Sequence, residues 1–391
     1  MTTHRAIVDA LGRAALAGET TVLATVVRVM GSSYGGVGAR MLVRVDGSTV
    51  GLVSGGCLES DLATHARRLH ATGRAELVTY DTQADDDGVW GLGLGCNGLI
   101  DVLLEPLPPA SATAVASLLG RALAADAPSV LATVVHVGAP AHDAFASAMP
   151  VVGAHALLAD GGRWDTGEWG DGRTLADVTT HASEARAAGR RGLVRDCGAV
   201  RVAFEVVAPC VRLVVCGSGP DAVPVARLAA QLGWDVTVVD HRPAVHARPE
   251  RFPDARVVEC ADALRLADAV TLAPRTAVVV MSHHFARDSD YLQAALGAGV
   301  AYVGVLGPHA RTGRMLAELA ARGAAAAPGE RLFGPVGLDL GGEGPDAIAL
   351  AIVAEVAAVA AGRGGGHLRD RRAQHPALGE HEHGGPQPHQ S

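Results

Sequence analysis

The segment Gly217-Ser218-Gly219-Pro220-Asp221-Ala222 indicates the fold class of the second half of this chain. It follows an apolar segment at 212–216 and precedes a helical pattern at 224–232, and Asp240 ends the next apolar segment. Glycines at these positions let backbone N–H groups approach a phosphate at a helix N-terminus, while a carboxylate at 240 can accept hydrogen bonds from ribose hydroxyls. The context predicts a nucleotide-binding loop whose candidate ligand-binding residues are Gly217, Ser218, Gly219 and Asp240.

On both sides of this loop, short apolar segments alternate with helical patterns over residues 211–362. Strands are predicted at 212–216, 235–239, 255–260, 276–281 and 301–306, and helices at 224–232, 289–298 and 345–361. Strands separated by helices of this length indicate a parallel sheet with helices on both faces. We therefore predict a Rossmann-like domain over residues 211–362.

The first 210 residues contain an internal repeat. Val22-Leu-Ala-Thr-Val-Val27 recurs letter for letter at 130–135, and a second strand-like stretch in each copy ends in a glutamate, Glu105 or Glu205. Such self-similarity indicates a duplicated unit. We predict an α/β protein in which a duplicated α+β domain, with repeats at 1–108 and 109–210, precedes the Rossmann-like domain.

Candidate binding residues in the first repeat lie in glycine-rich segments that the second repeat lacks. Arg40 is the single cation of the segment 31–40 and is a candidate for holding an anionic ligand. Cys57, in Ser54-Gly-Gly-Cys-Leu-Glu59, is expected just before a helix, whose dipole would favour a thiolate that suits a nucleophile, a sulfur carrier or a soft metal ligand. Cys96 stands in a similar glycine setting, and burial as a small apolar residue is the alternative for both thiols.

A second candidate cluster follows a later strand of the predicted parallel sheet. Ser282 and His283 come directly after the strand at 276–281, and open α/β sheets bind ligands at the carboxyl ends of their strands. Binding of a phosphate or an acid by His283 and simple helix capping with packing remain two open interpretations. Adjacent histidines point in different directions, so they seldom bind one metal together.

Composition excludes several classes of protein. The 391 residues are 49% hydrophobic and carry a net charge of −8, which argues for a globular protein and against nucleic acid as a partner. The N-terminus does not resemble a secretory signal, and no apolar run is long enough for stable membrane insertion, so a cytoplasmic protein with reduced cysteines is expected. Residues 363–391 are rich in His, Gly and Pro and are predicted to form a disordered tail.

Taken together, these motifs resemble the XdhC/CoxI family of molybdenum cofactor maturation factors, the accessory proteins of xanthine dehydrogenase and related molybdenum hydroxylases. The matching segments run in family order along nearly the whole chain: Gly31-Ser-Ser33, Gly38-Ala-Arg-Met-Leu-Val43, Ser54-Gly-Gly-Cys-Leu-Glu59, Gly93-Leu-Gly-Cys96, Phe204-Glu205, Cys216-Gly-Ser-Gly-Pro-Asp-Ala222, Val238-Val-Asp-His-Arg242, Met281-Ser-His-His284, Tyr302-Val-Gly-Val-Leu-Gly307 and Gly334-Pro-Val-Gly-Leu-Asp-Leu340. One departure is Tyr34-Gly-Gly-Val37, where the family commonly has proline and arginine.

The resemblance implies a chaperone rather than a catalyst. Such a protein would bind the molybdenum cofactor transiently, as molybdopterin or its dinucleotide form, assist its sulfuration with a cysteine desulfurase, and deliver it to an apo molybdenum hydroxylase. A homodimer is one assembly left open at this point. Two alternatives remain: an NAD(P)-dependent oxidoreductase that uses the Rossmann domain with His283 as acid or base, and a structural adaptor between desulfurase and client.

Overall fold

The computed structural model describes residues 4–31, 33–81, 98–138, 150–159, 164–166, 169, 172–189, 191–243, 249–324 and 329–370. In the first 210 residues the helices and strands are α1 His4–Leu16, β1 Thr21–Gly31, β2 Arg40–Val43, β3 Thr49–Gly51, α2 Glu59–Thr72, β4 Glu76–Asp81, β5 Gly98–Leu107, α3 Pro109–Ala124, β6 Ser129–Val137, β7 His155–Leu158, β8 Trp164–Thr166, α4 Gly172–Ala187, β9 Gly192–Cys197 and β10 Val200–Val207.

Two antiparallel five-stranded sheets have the same strand order, β3-β2-β1-β5-β4 in the first repeat and β8-β7-β6-β10-β9 in the second. The register is repeated as well, because Thr25 lies opposite Arg40 in the first sheet and Thr133 lies opposite His155 in the second. Each central strand also contains a β-bulge at the same place, at Val27 in β1 and at Val135 in β6. The predicted duplication is therefore visible in the strand order, in the pairing register and in the position of the β-bulge.

The two repeats pack against each other through the inner faces of their sheets. Strand β1 is buried on both sides, so alternate residues face opposite layers: Val22, Ala24 and Val26 pack toward α2, whereas Leu23 packs with α1 and α3. The bulged Val27 and Val135 meet Leu103 and Ala203 in a small cluster that joins the sheets. Helix α4 covers the outer face of the second sheet, as α2 covers that of the first, and α1 and α3 pack with residues of both sheets between them.

The second half of the chain forms a parallel sheet with helices on both faces. Its elements are β11 Arg212–Cys216, α5 Ala222–Gln231, β12 Asp235–Asp240, β13 Arg256–Glu259, α6 Leu266–Ala269, β14 Thr276–Val280, α7 Phe285–Gly297, β15 Tyr302–Val305, α8 His309–Ala321, β16 Leu332–Phe333 and α9 Pro345–Ala360, with 3-10 turns at Pro249–Arg251, Ala263–Arg265 and Gly329–Arg331. Helices α5 and α9 cover one face, and α7 and α8 cover the other.

The strand order β13-β12-β11-β14-β15-β16 puts the topological switch point between β11 and β14. Strands β12 and β13 add on one side of β11, and β14 to β16 add on the other, with parallel pairing throughout. In open α/β sheets, the crevice outside the carboxyl ends of the strands at such a point is where ligands bind. The Rossmann-like fold predicted from the sequence is confirmed, and its crevice lies between the loops that follow β11 and β14.

The Rossmann-like sheet contacts the N-terminal domain at the amino ends of its strands. Arg212, the first residue of β11, donates to Asp126 at 2.6 Å and to the carbonyl of Ala124 at 2.6 Å. Arg5 of α1 lies 3.8 Å from Asp235, the first residue of β12. The crevice at the carboxyl ends therefore lies at the opposite edge of the sheet from these contacts.

The described part of the predicted tail, residues 363–370, is exposed and contains one 3-10 turn at Leu368–Asp370. The remaining residues of that segment lie outside the described ranges. Within the described residues, no helix combines the length and the apolar character needed to cross a bilayer.

Candidate functional site

Gly217 lets the loop after β11 run directly against the loop after β14. Its φ is +125°, and a Cβ at this position would lie 2.6 Å from the Met281 carbonyl oxygen and 2.7 Å from Ser282 Cα. These distances are shorter than any side chain tolerates, so glycine is required for the two loops to touch. Gly217 N also donates to the carbonyl of Val239 at 2.7 Å, which ties the loop to β12.

Asp240 stabilises the same loop by accepting hydrogen bonds from Ser218. The backbone N–H and the hydroxyl of Ser218 donate to Asp240 Oδ2 at 3.0 and 2.5 Å, and Arg242 donates to both carboxylate oxygens at 2.9 Å. Although burial opposes its ionisation, the hydrogen bonds from Arg242 and Ser218 hold the pKa of Asp240 well below its usual range. The side chain is 1% exposed, so a ribose would have to compete with these internal donors for the role predicted from the sequence.

Ser282 and His283 complete the crevice on the β14 side. Ser282 donates through N and Oγ to Asp288 Oδ1 at 3.0 and 2.5 Å. Arg311 in turn donates to Asp288 Oδ2 at 2.8 Å, which fixes the turn from the neighbouring helix. His283 Nε2 lies 2.7 Å from Asp221 Oδ2 on the opposite side of the crevice.

Helix capping falls to the second of the two adjacent histidines. His284 is the N-cap of α7, and its Nδ1 accepts a hydrogen bond from Arg287 N at 3.4 Å. His283 instead contacts the side chain of Asp221, and its binding of a phosphate or an acid stays a prediction. Among the described residues, no three His, Cys, Asp or Glu side chains form a group that could hold a metal ion.

The loop that carries Cys57 is organised around the carboxylate of Glu59. Backbone N–H groups of Val53, Ser54, Gly56 and Leu58 donate to it at 2.8 to 3.2 Å, and the Ser54 hydroxyl donates at 2.6 Å. Burial opposes ionisation, but hydrogen bonds from Ser54 and the backbone lower the pKa of Glu59. The acceptor of these N–H groups is thus the Glu59 carboxylate and not the Cys57 thiol. Cys57 itself is exposed.

The remaining described thiols are less accessible than Cys57. Cys197, Cys216 and Cys260 are buried and Cys210 is half-buried, and burial raises the pKa of all four. Cys96 lies outside the described residues.

Beside the Cys57 loop, the ring of Tyr34 lies over Gly55, where a Cβ would come within 3.2 Å of it. Tyr34 is itself 63% exposed, so an exposed thiol and an exposed ring lie on adjoining loops.

Arg40 has an internal partner in place of the anionic ligand suggested by the sequence. It is 5% exposed, and its two terminal nitrogens donate to the two carboxylate oxygens of Glu205, in the other repeat. One of these nitrogens also donates to the carbonyl of Gly38 at 3.0 Å. A ligand could reach Arg40 only by breaking this buried pair.

The structure thus brings six predicted residues together at the switch point, namely Gly217, Ser218, Gly219, Asp240, Ser282 and His283, and leaves Arg40 and Cys57 in the N-terminal domain. Sequence reasoning missed the supporting roles of Arg242, Arg311 and Glu59. The signal for Arg242 and Glu59 was present, since each is a charged residue within two positions of a predicted site residue. Arg311 is distant in sequence from the turn it supports, but it follows the next predicted strand, at 301–306, and the carboxyl ends of neighbouring parallel strands lie at the same edge of the sheet.

Comparison with known proteins places the chain among relatives that it matches along most of its length. Residues 213–356 match the family model described as the XdhC Rossmann domain, and residues 14–81 match that of the XdhC and CoxI family. A Bacillus subtilis protein, named as a probable subunit of xanthine dehydrogenase, is 32% identical over 86% of this chain and 92% of its own length. The Escherichia coli protein named "Molybdenum cofactor insertion chaperone PaoD" is 26% identical over 91% and 88%.

A solved structure agrees with this assignment. The crystal structure of a Bacillus halodurans protein described as a xanthine dehydrogenase superposes with a TM-score of 0.70 at 28% identity, covering 95% of this chain and 98% of the other. Fold, motif order and relatives agree over both domains. The chain belongs to the XdhC and CoxI family.

Proposed function

We propose that this protein binds the molybdenum cofactor as cargo, assists its sulfuration, and inserts it into a molybdenum hydroxylase of the xanthine dehydrogenase type. The observation that carries the proposal is the switch-point crevice, where a glycine loop and the Ser282–His283 turn face each other across β11 and β14. Support also comes from the family and from a relative that is named a molybdenum cofactor insertion chaperone. The phosphate of molybdopterin, or the pyrophosphate of its dinucleotide form, is the group we assign to this crevice.

We further propose that Cys57 serves the molybdenum or sulfur end of the cargo. It is the exposed thiol among the described cysteines, and soft thiolates suit molybdenum and sulfide. Cys96 remains a second candidate from the sequence. Within this proposal the chain holds and transfers the cargo, binding is transient, and the sulfur is supplied by a cysteine desulfurase that acts as a partner.

The NAD(P)-dependent oxidoreductase receives less support from the geometry. Its ribose-binding carboxylate would be Asp240, which is already engaged by Ser218 and Arg242. Its pyrophosphate would meet Asp221, a negative charge 2.7 Å from the candidate acid or base His283. Titration with NADH and NADPH tests this alternative, and micromolar binding of either would favour it over cargo binding.

A cargo-retention experiment tests the proposed function. The purified protein is mixed with molybdenum cofactor released from a molybdoenzyme, separated by gel filtration, and assayed for molybdenum and for the fluorescence of the oxidised pterin. We expect both to elute with the protein at close to one equivalent. Cys57→Ala should lose molybdenum retention, and the half-buried Cys210→Ala is the matched control. Failure of the unaltered protein to retain either pterin or molybdenum would refute the proposal.

Partner binding is tested separately from cargo binding. Pull-down with an apo molybdenum hydroxylase and with a cysteine desulfurase should show both complexes, and size-exclusion chromatography with light scattering should report whether the chain forms a homodimer. Partner binding without any retained cargo would favour the structural adaptor instead.

A further inference from the structure

Asp221 and His283 bridge the switch-point crevice from opposite sides. Asp221 is the N-cap of α5, which covers one face of the sheet. His283 directly precedes His284, the N-cap of α7, which covers the other face. The pair is 62 residues apart in sequence, and 2.7 Å separates His283 Nε2 from Asp221 Oδ2. Any ligand that enters the crevice between the two loops therefore meets this pair.

The carboxylate of Asp221 lies in the space beside Gly219 that a side chain at position 219 would occupy. A Cβ on Gly219 would be 2.6 Å from Asp221 Oδ1. In dinucleotide-binding loops, the second glycine has no side chain so that a pyrophosphate can approach the backbone. Here that space holds an internal anion. Asp221 Oδ1 is buried and has no hydrogen-bond partner among the described residues, so this oxygen is not satisfied where it lies.

His283 is held in an unfavourable backbone conformation by its surroundings. Its φ of +62° makes it the single residue other than glycine with a positive φ among those described. Such conformations cost about 1–3 kcal/mol and persist where the neighbouring structure imposes them, often at ligand sites. The neighbouring Ser282 is fixed by two hydrogen bonds to the fully buried Asp288. The imidazole is thus directed at Asp221 by a rigid turn.

We propose that Asp221 is an internal substitute for the phosphate group of the cargo, and that an incoming phosphate displaces it from His283. This inference rests on the proposed function and adds how the crevice is controlled. Two carboxylates, Asp221 and Asp240, line the loop, and Arg242 compensates Asp240 through two hydrogen bonds. Asp221 is the carboxylate left for His283 to pair with, so the phosphate takes over the His283 contact while the Asp221 side chain leaves the space beside Gly219.

Displacement makes Asp221 a determinant of affinity. While it remains in the crevice, its charge repels a phosphate, so the empty protein closes its own site and binds phosphate weakly. Once the charge is removed, the phosphate gains His283 and the N-terminus of α5 without competition. At about 4 Å, one unit charge changes binding by at least about fivefold even at the dielectric constant of water.

Calorimetric titration with inorganic pyrophosphate tests the displacement. We expect Asp221→Asn and Asp221→Ala to bind pyrophosphate at least fivefold more tightly than the unaltered protein, and His283→Ala added to either variant to abolish the gain. Asp235→Asn is the matched control, because it removes the same charge at the other end of β12, and its affinity should equal that of the unaltered chain. Equal or weaker binding by both Asp221 variants, or no pyrophosphate binding by any variant, would overturn the proposal.

A measurement on the unaltered chain covers the case in which the Asp221 variants do not fold. In protein labelled with 15N-histidine, the ring signals that disappear in His283→Ala should shift on addition of pyrophosphate, whereas unchanged signals at saturating pyrophosphate would count against displacement. The outcome is separable from the proposed function, because retention of molybdenum and pterin by the unaltered protein does not depend on which residue competes with phosphate.

Discussion

Arg40 of the first repeat and Glu205 of the second form a buried ion pair that joins the two halves of the N-terminal domain. Its counterpart joins Glu105 of the first repeat to His155 of the second, with Nε2 and Oε1 2.8 Å apart. Arg40 and His155 occupy equivalent register positions, opposite Thr25 and Thr133. Each repeat therefore contributes one glutamate to the other.

Removal of one partner from the Arg40–Glu205 pair is expected to destabilise the fold. Arg40→Met leaves the Glu205 carboxylate buried without its cation, which should reduce the free energy of unfolding by about 3–5 kcal/mol. The double variant Arg40→Met/Glu205→Leu should recover most of the loss, because an apolar pair of similar volume is often as stable as a buried ion pair. Urea unfolding followed by circular dichroism measures both.

An exposed pair in the same domain is the control for this cycle. Arg201→Met breaks the contact with Asp196, whose side chain is 68% exposed, and should cost at most about 1 kcal/mol. If Arg40→Met were no more destabilising than Arg201→Met, the buried pair would have no special role in joining the repeats.

Acid should destabilise the protein through the same glutamate. Burial opposes ionisation, but Arg40 and the hydrogen bonds from His4 and Arg40 lower the pKa of Glu205 from 4.5 to about 2. Because the folded state has the lower pKa, this contribution is complete above pH 4.5 and is lost as the pH falls to about 2, on the order of 3 kcal/mol in all. The free energy of unfolding should decline less between pH 5 and pH 2.5 in Arg40→Met/Glu205→Leu, and equal slopes would contradict the assignment.

Glu59 is expected to control the mobility of the loop that carries Cys57. Glu59→Ala removes the acceptor shared by the backbone N–H groups of Val53, Ser54, Gly56 and Leu58, so their hydrogen exchange and the alkylation rate of Cys57 should both rise about tenfold, the equivalent of 1.4 kcal/mol. Glu59→Gln, which keeps one carbonyl acceptor, should lie between. Mass spectrometry of the peptide that contains Cys57 reports both quantities, and Glu76→Gln, at an exposed ion pair with Arg68, serves as the control.

Two glycines of the Rossmann-like domain should respond to alanine in opposite directions. Gly217→Ala places a Cβ 2.6 Å from the Met281 carbonyl oxygen at a φ of +125°, so we expect a loss of more than about 2 kcal/mol and a separation of the two crevice loops. Gly313→Ala, within α8 and with nothing within 4 Å of the added Cβ, should stabilise the protein by about 0.5–1 kcal/mol. Thermal unfolding measures the change in the free energy of unfolding of each variant, and a change of the same sign in both would contradict the prediction.

The regular elements of the second half could be predicted from the sequence because their signals are local. An amphipathic pattern and a proline at the first turn predicted a final helix at 345–361, and the observed helix is Pro345–Ala360. The strand predicted at 276–281 is observed at Thr276–Val280. Short edge strands such as β3 and β8, of three residues each, escaped prediction because three residues carry no measurable period.

Side-chain partners could not be predicted in the same way. Arg40 and Glu205 are 165 residues apart, and Asp221 and His283 are 62 apart. Periodicity reports which face of an element is buried but not which distant charge meets it there. The sequence therefore suggested an external anion for Arg40 and indicated no partner for Asp221, whereas in the fold both have internal partners.

The cluster of Val27, Leu103, Val135 and Ala203, where the two sheets meet, has a consequence for how this domain can be divided. Each sheet has its own helix on the outer face, and its inner face is covered by the other repeat together with α1 and α3. A fragment that ends at residue 108 would keep α1 but lose α3 and the second sheet, so it would expose part of that inner face to water and would need a second copy of itself to cover it. Joining the repeats in one chain replaces an association that depends on protein concentration with one that does not.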